Sequence, residues 1–206
     1  MEKIKNVIFD IGNVLFKYEP RYIAEQLLPK EENLDFYLDN LFHADHWDLL
    51  DRGDLSSKQL IRDLSKRLDL SSEQKANFQL LLDKFPEHLI LNEEMKAVFD
   101  ACAKEHNVYI LSNFQYPVFN VLLKNHEFLN QAKGMVISGR VMMMKPEIGI
   151  YHYLITQQRI IPQQSVFIDD RSENILSAKR VLMKGIVYKN AKQTKKELEK
   201  LKVKIA

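Results

Sequence analysis

The sequence predicts an α/β protein built on a parallel sheet with helices on both faces. Five short runs are apolar on successive residues rather than on alternate residues, which is typical of strands buried on both faces. Helical patterns separate the last four runs, and this strand–helix alternation indicates a parallel sheet. The predicted strands are residues 6–9, 108–111, 134–137, 165–168 and 185–188.

The segment 17–88 differs because it contains no convincing strand and repeats apolar residues at helical spacing. Ser56 and Ser71 each stand three residues before a glutamine, which matches the capping box that begins many helices. We therefore expect a core domain formed by residues 1–16 and 89–206, with a small all-helical cap domain of residues 17–88 inserted into it.

Composition restricts the class of protein and its partners. The chain has 206 residues, of which 46% are hydrophobic and 28% are charged, as expected for a globular protein with one good core. A formal net charge of +2 gives no general attraction to nucleic acid or membrane, so we expect neither as a partner. The single cysteine, Cys102, the lack of a signal-peptide pattern and the lack of a long apolar run together predict a cytoplasmic protein.

Polar side chains follow three of the predicted strands, at the point where each strand ends. Asp10 follows the first strand, Ser112 and Asn113 follow the second, and Asp169 with Asp170 follow the fourth. Ligands of open parallel sheets bind in the crevice beyond the carboxyl ends of the strands. We therefore expect these side chains to meet at one edge of the sheet.

The residue types at this edge indicate phosphate chemistry. Three neighbouring carboxylates repel one another and raise one another's pKa, unless a cation lies among them. Magnesium prefers oxygen ligands, usually one or two carboxylates together with water and substrate phosphate. Lys145 precedes Pro146, which is predicted to occupy the first turn of a helix, and would supply a positive charge. A nucleophilic aspartate, a metal, a cation and a hydroxyl donor are the groups that phosphoryl transfer needs.

Four stretches, in this order, resemble the four motifs of the haloacid dehalogenase-like hydrolase superfamily. They are "FDIGNVL" at 9–15, "LSN" at 111–113, "KP" at 145–146 and "FIDDRSENI" at 167–175. The resemblance covers nearly the whole chain, and the helical segment is similar to the small cap of one branch of the superfamily. The first and last stretches look closest to bacterial phosphatases that act on sugar phosphates such as glucose 1-phosphate. The resemblance implies a Rossmann-like core sheet of five strands in the order 3-2-1-4-5.

The resemblance also implies roles for the residues of the first and fourth motifs. Asp10 would be the nucleophile and a magnesium ligand, while the backbone carbonyl of Gly12 would be a second ligand. Asp170 would be the main acidic ligand from the fourth motif, and Asp169 would contact the metal directly or through water. Ile11 and Gly12 would also contact the substrate.

The remaining implied roles concern the phosphoryl group. Ser112 and the amide of Asn113 would hold it, and Lys145 would balance the charge of the nucleophile and of the phosphate. Asn174 would support the water molecules of the metal. The implied enzyme is a Mg²⁺-dependent phosphoric monoester hydrolase, which forms a phospho-aspartyl intermediate on a small phosphorylated metabolite, a sugar phosphate, and then hydrolyses it.

One position departs from the pattern of the family. Most of its phosphatases carry a second aspartate two residues after the nucleophile, which protonates the leaving oxygen and then activates water. Such general acid–base catalysis typically contributes about 10²–10⁴ in rate. Here that position is Gly12, and the amide of Asn13 cannot transfer protons as a carboxylate does. The sequence assigns this role to no residue.

Three functions stay open at this stage. The first is a magnesium-dependent phosphatase with a substitute acid, or with a leaving group that needs little help, such as a sugar hemiacetal oxygen. The second is a metal-independent haloacid dehalogenase, against which the pair Asp169–Asp170 argues. The third is a catalytically degenerate protein that binds a phosphate ligand, against which the intact Asp10, Lys145 and Asp170 argue.

The stretch "HWDLLDRGDLS" at 46–56 adds a further hypothesis. Trp47, Asp51 and Arg52 precede a helix break at Gly53 and could face the substrate. A helix packed into the core of the cap, with a polar edge, is the alternative interpretation.

Overall fold

The computed structural model describes residues 2–42, 45–116 and 118–205 of the chain. The strands are β1 (Asn6–Phe9), β2 (Phe16–Lys17), β3 (Ile90–Leu91), β4 (Asn107–Ser112), β5 (Gly134–Ile137), β6 (Ser165–Asp169) and β7 (Lys184–Val187). The helices are α1 (Pro20–Leu27), α2 (Leu34–Tyr37), α3 (His46–Arg52), α4 (Ser57–Leu68), α5 (Ser72–Lys84), α6 (Glu93–Glu105), α7 (Phe119–Asn125), α8 (Ser138–Val141), α9 (Ile148–Gln158), α10 (Ser172–Arg180) and α11 (Ala191–Lys200). Shorter turns are the π-helical Leu38–Phe42 and the 3₁₀-helical Phe85–His88, Glu127–Gln131 and Pro162–Gln164.

The main sheet has five parallel strands in the order β5-β4-β1-β6-β7. Counted along the chain among these five strands, the order is 3-2-1-4-5, which confirms the prediction. In the register, Phe9 at the end of β1 lies beside Ile110 and Ile168 of its two neighbours. The residues that follow β1, β4 and β6 therefore meet at one edge of the sheet.

The sheet is covered on both faces, as the continuous apolar runs predict. Val7 and Phe9 enter an apolar cluster with buried residues of α6 and α11, whereas Ile8 enters a second cluster with buried residues of α9 and α10. Because successive side chains of a strand point to opposite faces, a strand between two layers of helices needs apolar residues at every position.

The strands β2 and β3 form a two-stranded antiparallel ribbon, and residues 18–89 between them are called here the helical insert. Its described part contains helices and turns but no strand. Both predicted capping boxes are present, because the side chains of Ser56 and Ser71 accept hydrogen bonds from the backbone of Gln59 and Gln74. The expected domain boundaries fall at the ribbon, and the division into two domains stays a prediction. No described helix combines the length and apolar character needed to cross a membrane.

The segment around Lys145 differs from the prediction. Helix α9 begins at Ile148 with Glu147 as its N-cap, so Pro146 lies in the turn before the helix rather than in its first turn. The side chain of Asn113 accounts for this geometry: its Oδ1 accepts from the Lys145 N–H at 2.8 Å, and its Nδ2 donates to the Lys145 carbonyl at 2.9 Å. These two bonds hold the Lys145 backbone to the end of β4 and outside the helix.

Candidate active site

A cavity of about 210 Å³ lies between the carboxyl edge of the sheet and the helical insert. Asp10, Lys145 and Asp170 line it from the core, while Trp47 and Asp51 line it from the insert. The cavity thus joins three of the five residues predicted from the strand ends, Asp10, Asn113 and Asp170, to two of the three insert residues singled out in the sequence.

Asp10 is held in a fixed orientation directly after β1. Its backbone N–H continues the sheet by donating to the Ile168 carbonyl at 3.0 Å. Its Oδ1 accepts from the Ile11 N–H at 2.7 Å and lies 2.8 Å from Lys145 Nζ. Because only 6% of Asp10 is exposed, burial raises the pKa of this carboxyl, while Lys145 lowers it in opposition.

Lys145 is a buried cation between two carboxylates. Its Nζ lies 2.8 Å from Asp10 Oδ1 and 2.6 Å from Asp169 Oδ2, and only 2% of the side chain is exposed. Burial lowers the pKa of Lys145, but the two carboxylates outweigh it and leave the pKa raised. The lysine therefore keeps its charge at neutral pH.

Asp169 and Asp170 occupy different environments. Asp169 is fully buried, and its oxygens accept from Lys145 Nζ, from the Arg171 N–H at 2.8 Å and from Asn174 Nδ2 at 2.9 and 3.0 Å. Asp170 lines the cavity and accepts from Asn13 Nδ2 at 3.3 Å. Burial, followed by the charge of Asp169, raises the pKa of Asp170. The geometry favours Asp170 as the more available ligand.

The described residues fit a magnesium ion at this point. One carboxylate oxygen from each of Asp10, Asp169 and Asp170 lies within 4.8 Å of the other two, and such hard oxygen donors are what Mg²⁺ prefers. Gly12 lines the same cavity. The side-chain oxygen of Asn174 is buried and has no hydrogen-bond partner among the described residues. That oxygen is free to accept from a metal-bound water, which is the role the resemblance implies for Asn174.

Three other predicted residues are placed less directly. Ser112 is buried, and its hydroxyl donates to the Asn113 carbonyl at 3.4 Å. Ile11 is also buried, and neither residue is among those that line the cavity. Asn113 does line it, but its side-chain amide is engaged with the backbone of Lys145.

The insert residues Arg52 and Asp51 connect the helical insert to the core. Arg52 does not line the cavity; its guanidinium forms an ion pair with Glu147 at the start of α9 and lies 3.2 Å from Asp54. The backbone carbonyl of Asp51 accepts from the hydroxyl of Ser138 in α8. These contacts fix the end of α3 against the core.

An aromatic wall, formed by Tyr18, Trp47, Phe85 and Phe114, lines the cavity beside the carboxylates. Neighbouring ring centroids lie 5.8, 5.2 and 5.5 Å apart along this series. Except for Trp47, these residues were missed in the sequence, because they are far apart in the chain and share no local pattern. Burial, followed by the charge of Asp51, raises the pKa of Tyr18.

The fold and the cavity together define a class of protein. A parallel sheet that brings an aspartate, a buried lysine and two further aspartates to its carboxyl edge is arranged for nucleophilic chemistry beside a divalent cation. Residues 38–188 match the family described as haloacid dehalogenase-like hydrolase, and the chain belongs to that family. This confirms the predicted superfamily and the prediction of a hydrolase.

Curated relatives include phosphatases. A sesquiterpene phosphatase, astK, from Aspergillus oryzae is 26% identical over 96% of this chain and 96% of its own length. The D-ribitol-5-phosphate phosphatase of Bacteroides thetaiotaomicron is 23% identical over 95% of this chain and 97% of its own. The drimenol cyclase drtB of Aspergillus calidoustus is 25% identical over 95% of this chain, which spans only 36% of that protein.

Solved structures show the same fold. A haloacid dehalogenase family enzyme from Bacteroides thetaiotaomicron, in complex with magnesium and inorganic phosphate, has a TM-score of 0.68 and 20% identity over 91% of this chain and 95% of its own. The L-2-haloacid dehalogenase of Xanthobacter autotrophicus also has a TM-score of 0.68, with 15% identity over 96% of this chain and 83% of its own. The fold is therefore common to phosphate-binding and dehalogenating proteins and does not separate them.

Proposed function

We propose that the protein is a magnesium-dependent phosphatase that hydrolyses a small phosphomonoester, a sugar phosphate, through a phospho-aspartyl intermediate on Asp10. The observation that carries this proposal is the buried group in which Lys145 bridges Asp10 and Asp169, with Asp170 completing three carboxylates within 4.8 Å. Phosphatases among the curated relatives support the same reaction.

The residues of the core have distinct roles in this proposal. Bound Mg²⁺, held by Asp10, Asp170, the Gly12 carbonyl and, directly or through water, Asp169, would stabilise charge on the phosphoryl oxygens. Asp10 attacks phosphorus, because its carboxylate is oriented by the Ile11 N–H and by Lys145. The fixed positive charge of Lys145 balances the carboxylate and the incoming phosphate.

The regions around the core group complete the proposal. Ser112 and the amide of Asn113 hold the phosphoryl group, while the Asn113 side chain keeps Lys145 in place. The helical insert acts as a cap domain that excludes bulk water and selects the leaving group. The cap domain would open and close over the cavity by bending at its connection to the core, the ribbon formed by β2 and β3.

A second candidate substrate has an apolar leaving group. The aromatic wall gives one side of the cavity an apolar surface, which suits a hydrocarbon chain, although aromatic rings also pack against sugar rings. The relative described as a sesquiterpene phosphatase supports this candidate, just as the ribitol-5-phosphate phosphatase supports a sugar phosphate.

The test is a hydrolysis screen with and without Mg²⁺, using glucose 1-phosphate, pentitol and hexose phosphates, farnesyl phosphate and p-nitrophenyl phosphate. We expect phosphate release that stops with EDTA and returns with added Mg²⁺. Activity on 2-haloacids that survives EDTA would instead identify a dehalogenase. Tight binding of phosphate esters without turnover would identify a catalytically degenerate binding protein.

The variant Asp10→Asn tests the nucleophile directly. We expect phosphatase activity to fall by more than about 10³-fold, since removing a covalent nucleophile leaves only the binding and electrostatic contributions. Acid-quenched wild-type enzyme should carry phosphate on the peptide that contains Asp10, as detected by mass spectrometry, and the variant should not. A variant that keeps wild-type activity would refute the proposed mechanism.

A further inference from the structure

The position left empty by Gly12 directs attention to the other carboxyl groups of the cavity. A Cβ added to Gly12 would meet no atom within 4 Å, so the space beside the nucleophile is open. Among the described residues, the remaining aspartates of the cavity are Asp170, assigned to the metal, and Asp48 and Asp51 of α3. The carboxyl groups of the cavity that have no assigned role therefore lie on α3.

The position of Asp51 is fixed by tight packing between α3 and α8. Helix α3 ends at Arg52 and is capped by Gly53, whose φ of 90° is readily adopted only by glycine. A Cβ at Gly53 would lie 2.9 Å from the Gly139 carbonyl oxygen, so the two backbones approach closely there. Together with the bond from Ser138 to the Asp51 carbonyl, this packing holds the end of α3 at the cavity.

The environment of Asp51 differs from that of an ordinary surface carboxyl. Its pKa is raised from 3.8 to about 8, chiefly by burial and then by the charges of Asp48 and Asp10, while the Gln115 side chain and Lys145 act in the opposite direction. Tyr18 also faces Asp51, and its hydroxyl is buried without a hydrogen-bond partner among the described residues. Asp51 therefore carries a proton at neutral pH, and a pKa near the working pH is best suited to general acid–base catalysis.

We propose that Asp51 is the general acid of the reaction and then its general base, in place of the aspartate that the position of Gly12 lacks. This inference rests on the proposed phosphatase function. As Asp10 forms its bond to phosphorus and the bond to the leaving oxygen breaks, the Asp51 proton moves to that oxygen. The Asp51 carboxylate then takes a proton from water, whose oxygen attacks phosphorus and breaks the bond to Asp10. Phosphate is released and Asp51 is again protonated.

Asp51→Asn tests the assignment, with Asp54→Asn as the matched control. Asp54 is an exposed carboxylate three residues away, outside the cavity lining, and its partner is Arg52. For unactivated alkyl or sugar phosphates, we expect kcat/KM of Asp51→Asn to fall by about 10²–10⁴. With p-nitrophenyl phosphate, whose leaving group needs no proton, Asp51→Asn should release a burst of nitrophenolate stoichiometric with enzyme and then turn over slowly. Asp54→Asn should behave as the wild type.

The pH dependence provides a readout that a purely structural role would not change. The wild-type kcat/KM for an unactivated ester should decline as the pH rises through about 8, because Asp51 then loses its proton. That decline should be absent from the residual activity of Asp51→Asn. In Asp48→Asn, the decline should move to lower pH, since a charge that raises the pKa of Asp51 is removed.

A rescue experiment keeps the inference testable even if Asp51→Asn is impaired for other reasons. Because the space at Gly12 is open, the double variant Gly12→Asp/Asp51→Asn has room for a carboxyl close to Asp10. We expect its kcat/KM for unactivated esters to be at least about 10-fold higher than that of Asp51→Asn. Thermal unfolding of each variant verifies that it is folded.

The outcomes separate this inference from the function on which it rests. If Asp51→Asn keeps the wild-type rate and pH profile while Asp10→Asn is inactive, the assignment of Asp51 is wrong and the phosphatase proposal stands. The assignment would also be overturned if Asp51→Asn lost activity equally on activated and unactivated esters, showed no burst and was not rescued by Gly12→Asp. If the wild-type protein hydrolyses no phosphate ester, both proposals fail.

Discussion

The two sides of the cavity are built differently. On the core side, each buried charge has defined partners: Asp169 accepts from Lys145, Asn174 and the Arg171 backbone, and Lys145 also contacts Asp10. On the insert side, aromatic rings dominate, and the Tyr18 hydroxyl is buried without a partner among the described residues.

This difference indicates separate roles for the two sides of the cavity. A network of satisfied charges is rigid and suits chemistry that every substrate of the enzyme shares, because its dipoles need no reorganisation during reaction. An apolar wall forms few directional bonds and therefore recognises a leaving group by its shape. Such a surface suits the selection of the leaving group. Asp48 and Asp51 are the exceptions, since they bring carboxyl groups to the insert side.

Breaking the charge network should have the largest effect on folding. We expect Lys145→Met to lower the free energy of unfolding by about 3–5 kcal/mol, because removing one partner leaves buried carboxylates uncompensated. Urea unfolding at neutral pH measures the loss. The matched control is Lys96→Met, which breaks a 2.6 Å pair with Asp100 whose side chains are about one third exposed. Its loss should stay below about 1 kcal/mol, and equal losses would contradict the proposed rigidity of the core side.

Removing the proposed metal ligand Asp170 should weaken magnesium binding while leaving the fold intact. We expect Asp170→Asn to raise the Mg²⁺ concentration needed for half-maximal activity by at least about 10-fold. Calorimetric titration with MgCl₂ measures the same change without substrate. Asn13→Ala, which removes the 3.3 Å bond to Asp170 Oδ2 and the 3.1 Å bond that Asn13 Oδ1 accepts from the Tyr18 N–H, should have a smaller effect in the same direction. An unchanged Mg²⁺ requirement in Asp170→Asn would exclude this carboxylate as a ligand.

Changing the aromatic wall should alter selectivity more than chemistry. We expect Trp47→Leu to change the ratio of kcat/KM values for farnesyl phosphate and glucose 1-phosphate by about 10-fold, because apolar pockets discriminate by modest contact energies. Its Mg²⁺ requirement should equal that of the wild type, because the ring contacts Tyr18 and Phe85 rather than the carboxylates. A changed Mg²⁺ requirement with unchanged selectivity would reverse the proposed division of roles.

The last expected effect concerns the pH dependence of the stability associated with Asp51. Because its folded pKa of about 8 lies above the ordinary value of 3.8, the folded state binds more protons between these values, and stability falls as the pH rises through this window. Asp51→Asn removes the carboxyl group that destabilises the folded state at high pH. We therefore expect this variant to raise the Tm at pH 8, by about 2–4 °C for each kcal/mol gained in the free energy of unfolding, and to have little effect below pH 4. Scanning calorimetry at both pH values measures this, and a lower Tm at pH 8 would contradict the shift.

Much of the core could be predicted from the sequence because its signals are local. The bounds of β1 and β5 agree with the predicted runs, β7 lies one residue earlier than predicted, and both capping boxes are present. Once the sheet is parallel, its strand ends must meet at one edge, so Asp10, Asp169 and Asp170 come together by topology.

Other features depend on contacts between distant parts of the chain. The predicted start of α9 at Pro146 was wrong, because the side chain of Asn113, 32 residues earlier than Lys145, holds the backbone just before Pro146 and the helix begins only at Ile148. Asp169 accepts hydrogen bonds from Lys145, Arg171 and Asn174, and these bonds make its environment different from that of Asp170. Two adjacent aspartates in the sequence do not predict this difference.

The amino-acid sequence predicted the sheet, its strand order by resemblance, and the set of charged groups at its edge. Only the tertiary structure decided what faces that edge, because the aromatic wall and Asp51 reach the cavity through the packing of the helical insert on the core. The spacing of apolar residues along the sequence indicates which residues are buried. The partner against which a helix is buried depends on long-range packing. For that reason the sequence indicated Asp10 as the proposed nucleophile and Asp51 as a residue that could face the substrate, but it did not indicate Asp51 as the proposed proton donor.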